Sequence, residues 1–151
     1  MDRRELLTTL SAGGLGMMAL ASTGQAQTPA KAHDHDKMHA SCLEACSDCA
    51  KACDETFHHC YMALAEGKKE HAKALHLVSD CAGFCSLAAC LIAKHSPLMA
   101  HSCEACADAC KDTAAEVGKF DSAEMKSATK KLRACEKSCR MMVEHMGHSA
   151  K

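Results

Sequence analysis

The cysteines of this sequence recur at spacings that suit metal binding by helices. Thirteen Cys occur among 151 residues, beside no Trp, one Tyr and three Phe. Residues three or four apart on a helix have neighbouring side chains, with Cβ atoms about 5–6 Å apart, so two such sulfurs can hold one metal ion. Two pairs, 46/49 and 103/106, have the Cys-x-x-Cys spacing. Five have the Cys-x-x-x-Cys spacing, namely 42/46, 49/53, 81/85, 106/110 and 135/139.

Most of these cysteines share one face of each predicted helix. At about 100° per residue, the cysteines of the first helix fall within an arc of about 60°, and those of the third do the same. The apolar stripe of an amphipathic helix faces the core, so the thiols should point inward from all four helices. The inward set is Cys42, Cys46, Cys49, Cys53, Cys60, Cys81, Cys85, Cys103, Cys106, Cys110, Cys135 and Cys139.

Cys90 departs from this pattern, although we include it among the candidate metal ligands. It lies about 140° from Cys85 around an ideal helix. Either Cys90 sits on a flank of the second helix, or that helix is deformed near Gly83.

Helical periodicity predicts an all-α chain, an antiparallel four-helix bundle with a cysteine-lined core. The four helices are expected over residues 37–66, 69–95, 96–118 and 121–147. The connections between them are short, which favours antiparallel neighbours. No alternation of Val, Ile or Thr indicates a strand.

Capping residues mark the ends of these helices. Gly67 is suited to the C-terminus of the first helix. Ser96 and Pro97 supply an N-cap and a first-turn proline for the third. Asp121, with Glu124 three residues later, resembles a capping box for the fourth.

The N-terminal segment has the pattern of an export signal. Arg3 and Arg4 precede a mildly apolar run and a small-residue cleavage site, so residues 1–26 are expected to be a twin-arginine-type signal peptide. This predicts a periplasmic or otherwise extracytoplasmic protein. Residues 27–36 are expected to be a flexible lead-in, and residues 37–151 to form the bundle.

Several kinds of cysteine chemistry fit the sequence poorly. An odd number of cysteines cannot pair completely in one chain, and disulfides need Cβ atoms about 3.8 Å apart, although a disulfide-linked structural or redox protein remains an alternative. Thiol oxidoreductases place Cys-x-x-Cys beside a βαβ unit. An iron–sulfur motif would need cysteine at Leu43 and proline at Asp54.

Charge favours Cu(I) over zinc as the bound ion. Structural zinc takes four ligands, so 13 thiolates would hold about three ions and leave a strongly anionic core. Uncompensated buried charge is costly. Soft thiolates select Cu(I), and one Cu(I) per thiolate leaves the core nearly neutral. The sequence therefore predicts storage of multiple Cu(I) ions per chain and no catalytic reaction.

Methionine and histidine concentrate at one predicted end of the bundle, where helices 1 and 3 begin and helices 2 and 4 end. Thioethers also bind Cu(I), so this end is the candidate entrance for copper, although methionine fills gaps in many cores. Met62 and Met141 point away from the stripes, and His71 is expected to be solvated. The candidate entrance residues are Met38, His39, Met99, Met142 and Met146, with His95 near the edge.

The remaining composition excludes two classes of partner. Lys and Arg total 18 against 19 Asp and Glu, so no basic field indicates nucleic-acid binding. No run of 18 apolar residues follows the N-terminus, which predicts no membrane span in the mature chain.

The twin-arginine leader, four helices and inward Cys-x-x-x-Cys pairs together resemble the exported copper storage proteins of methane-oxidising bacteria. That resemblance implies a homotetramer of four-helix bundles, each filled with Cu(I) on its cysteines. It further implies supply of copper to a client copper enzyme and a copper entrance rich in Met and His. A copper-detoxification sink would have the same structure, and the sequence does not separate it from a store.

Overall fold

The chain folds into four long helices, as shown by a computed structural model that describes residues 30–149. The described range contains no β-strand, so the predicted all-α class is confirmed. A short 3₁₀ turn, Lys69–His71, precedes the second helix. In chain order the helices are α1 (Ala30–Ala65), α2 (Ala72–Ala93), α3 (Met99–Val117) and α4 (Ala123–Ser149).

The four helices pack as an antiparallel bundle around one core. α1 and α3 each pack against both α2 and α4, so consecutive helices are neighbours and α4 closes the ring against α1. Among the residues whose burial the structure describes, twelve of the 25 buried hydrophobic residues are cysteines. Large aliphatic side chains such as Ile92 and Leu132 are few. Cysteine therefore fills the space that branched residues occupy in an ordinary bundle.

Gly67 ends α1 as its sequence position predicts. Its φ of 88° lies in the left-handed region, where glycine carries no Cβ penalty. The Gly67 N–H donates to the Leu64 carbonyl at 2.9 Å, and the Lys68 N–H donates to the Ala63 carbonyl at 3.0 Å. These two bonds form a Schellman motif, which satisfies carbonyls that the helix end would otherwise leave free.

The start of α1 differs from the sequence prediction. The helix begins at Ala30, so residues 30–36 are helical rather than a flexible lead-in. Residues 30–36 have no apolar stripe, and an apolar stripe is the signal by which periodicity detects a helix. The first turns of α1 were therefore missed. The predicted signal peptide, residues 1–26, lies outside the described residues.

The predicted N-caps of α3 and α4 are wrong by two residues and by one residue. α3 begins at Met99, and Ser96 instead opens the preceding turn, where its hydroxyl accepts a hydrogen bond from the Leu98 N–H at 3.2 Å. At α4 the cap is Ser122 rather than Asp121, because the Ser122 hydroxyl accepts from the Met125 N–H at 3.2 Å. Serine and aspartate are nearly equivalent N-caps, so adjacent candidates are hard to rank from sequence.

One stretch of the described chain, Lys69–Ala93, is long and apolar enough to cross a membrane by length and composition, with a mean hydropathy of 1.7. The core helix of a bundle passes the same test, so this is weak evidence. The absence of a membrane span in the mature chain stays a prediction.

Candidate metal centre

Eleven of the buried cysteines gather into four overlapping groups along the bundle axis. Within each group the sulfur atoms all lie within 4.8 Å of one another, which is close enough for one ion to contact several of them. The groups are Cys42/Cys103/Cys139, Cys46/Cys106/Cys135/Cys139, Cys49/Cys85/Cys110/Cys135 and Cys49/Cys53/Cys81. We call these eleven residues the sulfur column.

Three shared residues join the groups into one continuous column. Cys139 belongs to the first and second groups, Cys135 to the second and third, and Cys49 to the third and fourth. A thiolate that belongs to two groups can bridge two soft metal ions. The column therefore offers successive sites that share ligands rather than separate, closed sites.

The short sulfur contacts run mainly between helices. Among the described residues, nine Sγ–Sγ contacts of 3.5–3.9 Å have hydrogen-bond geometry; eight of them join different helices and one, Cys81/Cys85, lies within α2. Each Cys-x-x-x-Cys spacing places two thiols on the inward stripe, but the nearest partner of a thiol usually comes from another helix. The bundle, more than the local pair, builds the sites.

Cys110 shows how the helices converge at the centre of the bundle. Its sulfur lies 3.7 Å from that of Cys49 on α1, and 3.6 and 3.7 Å from those of Cys81 and Cys85 on α2. α3 thus presents one thiol to sulfurs of two other helices at once. No sequence spacing could reveal this convergence, because 61 residues separate Cys49 from Cys110.

All thirteen cysteines are free thiols. Sulfurs in a disulfide are about 2.05 Å apart, so contacts of 3.5 Å or more are non-bonded. The geometry does not favour the alternative of a disulfide-linked structural or redox protein.

Hydrogen bonds between thiols lower the pKa of some members of the column. Hydrogen bonding with Cys110 lowers the pKa of Cys81 to about 5. The pKa of the Cys106 thiol falls below its ordinary value because Cys110 and Cys135 hydrogen-bond to it. A thiolate that accepts several S–H bonds is stabilised even away from water. The members with lowered pKa are Cys42, Cys49, Cys81 and Cys106.

The other seven column thiols have a raised pKa. Hydrogen bonding with Cys49, and then with Cys81, raises the pKa of Cys53, and burial adds to the effect. These thiols keep their protons at neutral pH, so metal binding must displace them. The set is Cys46, Cys53, Cys85, Cys103, Cys110, Cys135 and Cys139.

Two predicted ligands lie outside the column. Cys60 is fully buried but joins none of the four groups, and burial alone raises the pKa of its thiol. Cys90 is exposed and so does not line the core, and its role as a metal ligand stays a prediction. Its angle of about 140° from Cys85 on an undistorted helix turns it away from the axis, as one of the two sequence interpretations expects.

The antiparallel order of the helices places the candidate entrance residues at the same end of the bundle, where His39 of α1 contacts His95 after α2. Met142 is fully buried and Met99 is 5% exposed, while Met38 and Met146 pack against the core with part of their surface exposed. Met62 and Met141 are 47% and 46% exposed, as their off-stripe positions predict. Four thioether side chains, two of them buried and two partly exposed, therefore lie at this end of the core.

His39 and His95 form a contact at this end that sequence spacing could not show. Their Nδ1 atoms lie 3.1 Å apart. His95 has a φ of 48°, and its N–H donates to the Ile92 carbonyl at 2.9 Å, so it occupies the left-handed position that usually takes glycine after a helix. Together with Asp36 they line a surface depression of about 340 Å³. Two imidazoles therefore stand beside the methionine end.

His71 lies at the opposite end of the bundle, and the expectation that it is solvated is wrong. Its side chain is buried and stacks on Phe120, with ring centroids 4.3 Å apart. Nδ1 has no hydrogen-bond partner among the described residues, and the nearest carboxylate oxygen, on Glu70, is 3.9 Å away. The short 3₁₀ turn positions this ring over the end of the core.

Comparison with known proteins identifies relatives over the whole bundle. The profile of the family described as copper storage protein matches residues 34–144. The uncharacterised cysteine-rich protein YhjQ of Bacillus subtilis is 36% identical over 102 residues, which is 68% of this chain and 93% of the relative.

Solved structures show the same fold. Apo copper storage protein 3 of Bacillus subtilis is 33% identical with a TM-score of 0.62, over 69% of this chain and 97% of that one. The Cu(I)-bound copper storage protein BsCsp3 gives 33% identity and a TM-score of 0.64, over 70% and 98%. A protein of Nitrosospira multiformis is 26% identical with a TM-score of 0.65, over 72% and 97%.

Proposed function

This chain belongs to the copper storage protein family, and we propose that it stores Cu(I) on the thiolates of its sulfur column. The observation that carries the proposal is the continuity of the column: four groups of buried sulfurs share Cys49, Cys135 and Cys139. Shared thiolates suit an ion that accepts bridging sulfur ligands. The proposed activity is reversible binding without a chemical reaction, so the protein is not an enzyme.

The charge of the core supports Cu(I) over a divalent ion. Each thiolate carries one negative charge, and each Cu(I) one positive charge, so one ion per column thiolate leaves no net charge to bury. Four-coordinate Zn²⁺ in the same column would leave about two negative charges per ion in a core from which water is excluded. The bundle can therefore fill with Cu(I) and stay packed.

Copper enters, on this proposal, at the end where Met38, Met99, Met142 and Met146 cluster. A thioether binds Cu(I) without losing a proton, so it holds the ion more weakly than a thiolate does. The ion can pass from these side chains to Cys42, Cys103 and Cys139, the group nearest that end. His39 and His95 flank the route.

Three further properties belong to the same proposal. Arg3 and Arg4 support export of the chain through the twin-arginine route, and with it a periplasmic location. The family resemblance supports a homotetramer. It also supports delivery of the stored copper to a client enzyme, while a detoxification sink with the same column would differ only in not releasing it.

Titration of the anaerobic, metal-free protein with Cu(I) in the presence of a competing chelator tests the storage function. We expect the chain to take up about 11 to 13 ions, close to one per buried cysteine, and to keep its helical circular-dichroism signal throughout. Saturation at about three ions would indicate tetrahedral sites of the zinc type and would contradict the proposal.

A further inference from the structure

An imidazole nitrogen without a partner is buried at the end of the bundle opposite the methionines. His71 ends the 3₁₀ turn Lys69–His71, and its ring stacks on Phe120 with the ring centroids 4.3 Å apart. The residue is 8% exposed, and its Nδ1 has no hydrogen-bond partner among the described residues. A buried polar nitrogen is costly unless a hydrogen-bond partner, a water molecule or an ion binds it. Nδ1 of His71 therefore indicates a ligand that the bundle alone does not supply.

A second imidazole lies beside His71, on α1. The ring centroid of His59 is 6.0 Å from that of His71, and the two ring planes are tilted by 54°. Bonds of about 2.0–2.1 Å from zinc to nitrogen place the centroids of two ligating imidazoles roughly 5–6.5 Å apart. The observed separation falls within this range, so a single ion between the rings can contact both of them.

Glu70 supplies an oxygen donor at the same place. Its Oε1 atom lies 3.9 Å from Nδ1 of His71. Two donor atoms on one tetrahedral ion are about 3.3 Å apart, so the carboxylate must approach by roughly 0.6 Å. The Glu70 side chain is 64% exposed and can make this movement by changing its side-chain torsion angles. The turn and α1 together therefore offer two imidazoles and one carboxylate.

Further carboxylates surround His59. Hydrogen bonding with Lys68 lowers the pKa of the Glu66 carboxyl most, and the charge of His59 lowers it further. Hydrogen bonds with its own backbone and with Ser122 lower the pKa of Glu124, and His59 again adds to the effect. His59 thus stands close to two negatively charged side chains, which favours the binding of a cation there.

We propose that His59, Glu70 and His71 bind a divalent metal ion of the zinc type at a site separate from the sulfur column. Two imidazoles and one carboxylate are a recurrent ligand set for Zn²⁺, with a water molecule as the fourth ligand. Cu(I) is selected by soft sulfur ligands, whereas imidazole and carboxylate suit divalent ions, so the column and this site take different metals. The inference does not depend on the storage function.

The ion ties the turn after α1 to α1 itself. His59 belongs to α1, while Glu70 and His71 belong to the 3₁₀ turn that lies across the end of the core. An ion that binds all three holds this turn in place, because opening the turn would break metal–ligand bonds. The site therefore acts as a clasp at the end of the bundle that is remote from the candidate copper entrance.

The test adds Zn²⁺ to anaerobic protein whose sulfur column has first been filled with Cu(I), and measures binding by calorimetry. The wild type should bind one Zn²⁺ per chain, and amide hydrogen exchange in residues 67–71 should slow. His59→Gln and Glu70→Gln should each raise the dissociation constant by about a hundredfold or more, since changes that only disturb the support of a metal ligand already cost about 10–100-fold. His58→Gln and Glu55→Gln, at exposed positions of α1, are matched controls that should bind as the wild type does.

Co²⁺ in place of Zn²⁺ identifies the ligands from its absorption spectrum. The copper-filled protein should bind Co²⁺ without a sulfur-to-cobalt charge-transfer band, because only nitrogen and oxygen ligate the ion. A strong sulfur band there would assign the binding to thiolates and overturn the proposal. No Zn²⁺ binding, or binding that His59→Gln and Glu70→Gln leave unchanged, would overturn it as well. Cu(I) uptake is measured on the same samples before Zn²⁺ is added, so a failure of storage is seen separately from a failure of this site.

Discussion

Cys46 on α1 and Cys139 on α4 hold their sulfur atoms 3.5 Å apart although 93 residues separate them. This is the shortest of the sulfur contacts, and it joins the first helix of the chain to the last. Cys139 also lies 3.9 Å from Cys42, one turn away on α1. One α4 thiol is thus placed to bridge ions held by two successive turns of α1, and the same logic repeats along the column.

Removing a thiol shared by two groups should therefore lower the Cu(I) capacity more than removing an exposed thiol. Cys135 belongs to two groups, so Cys135→Ala should lower the Cu(I) capacity by about two ions. Cys90→Ala, which removes the exposed thiol, should leave the capacity unchanged. Chelator competition on both variants measures the difference, and equal losses would show that each cysteine binds its own ion independently.

Proton release should report the mixture of thiols and thiolates in the empty column. Seven column thiols have a raised pKa and must release a proton when they bind Cu(I), whereas hydrogen bonds from neighbouring thiols lower the pKa of the other four. Fewer protons than copper ions should therefore appear during filling at neutral pH. Calorimetry in buffers of different ionisation enthalpy measures the ratio.

Lowering the pH should raise the number of protons released per Cu(I) bound. Cys81 has a pKa of about 5, so its thiolate takes up a proton as the pH falls through that value. Below it, each Cu(I) bound there must displace a proton, and the apparent affinity should fall more steeply with decreasing pH. One proton per copper at every pH would show that all the empty thiols are neutral.

The fold and most of the column could be predicted from the sequence because both depend on one periodicity. A stripe that repeats every three or four residues fixes the helices and the inward direction of Cys42 or Cys103 at the same time. The exposure of Cys90 agrees with its angle around the helix, which was one of the two interpretations that the sequence left open. Cys60 is different. It lies on the stripe and is buried, yet the packing of the helices leaves its sulfur outside all four groups.

Other features could not be predicted, because they depend on how separate helices meet. The contact between His39 and His95 requires that α2 end in a left-handed residue, and glycine is the residue that usually signals such an end. The burial of His71 requires the 3₁₀ turn to lie across the end of the core. In each case the deciding partner is distant in sequence and carries no periodic signal.

The backbone of His95 should lower the stability of the protein, while its imidazole should speed copper uptake. A non-glycine residue at φ 48° is strained, so His95→Gly should raise the free energy of unfolding by about 0.5–1 kcal/mol. The same change removes the imidazole beside His39, and copper uptake should slow. Chemical denaturation and stopped-flow loading measure the two effects. His95→Asn, which also tolerates the left-handed region, should slow uptake with a smaller gain in stability, and unchanged uptake in both variants would exclude a role for the histidine pair.

Methionine at the same end should set the rate of loading but not the final amount. Replacement by leucine keeps side-chain volume nearly constant at Met38, Met99, Met142 and Met146. Each substitution should therefore change the free energy of unfolding by less than about 1.5 kcal/mol. The thioether sulfurs disappear while the thiolates of the column remain. We expect the same Cu(I) capacity, slower filling, and slower removal by an external chelator.

The exposed methionines provide the matched control for that experiment. Met62→Leu and Met141→Leu remove the same chemical group from side chains that are 47% and 46% exposed and lie off the inward stripes. These variants should load at the wild-type rate, because a Cu(I) ion bound there has no neighbouring sulfur of the column to move to. Equal slowing in both sets would mean that methionine collects copper anywhere on the surface. No slowing in the inward set would mean that Met99 and Met142 only fill space, and that the ion reaches Cys42, Cys103 and Cys139 by another route.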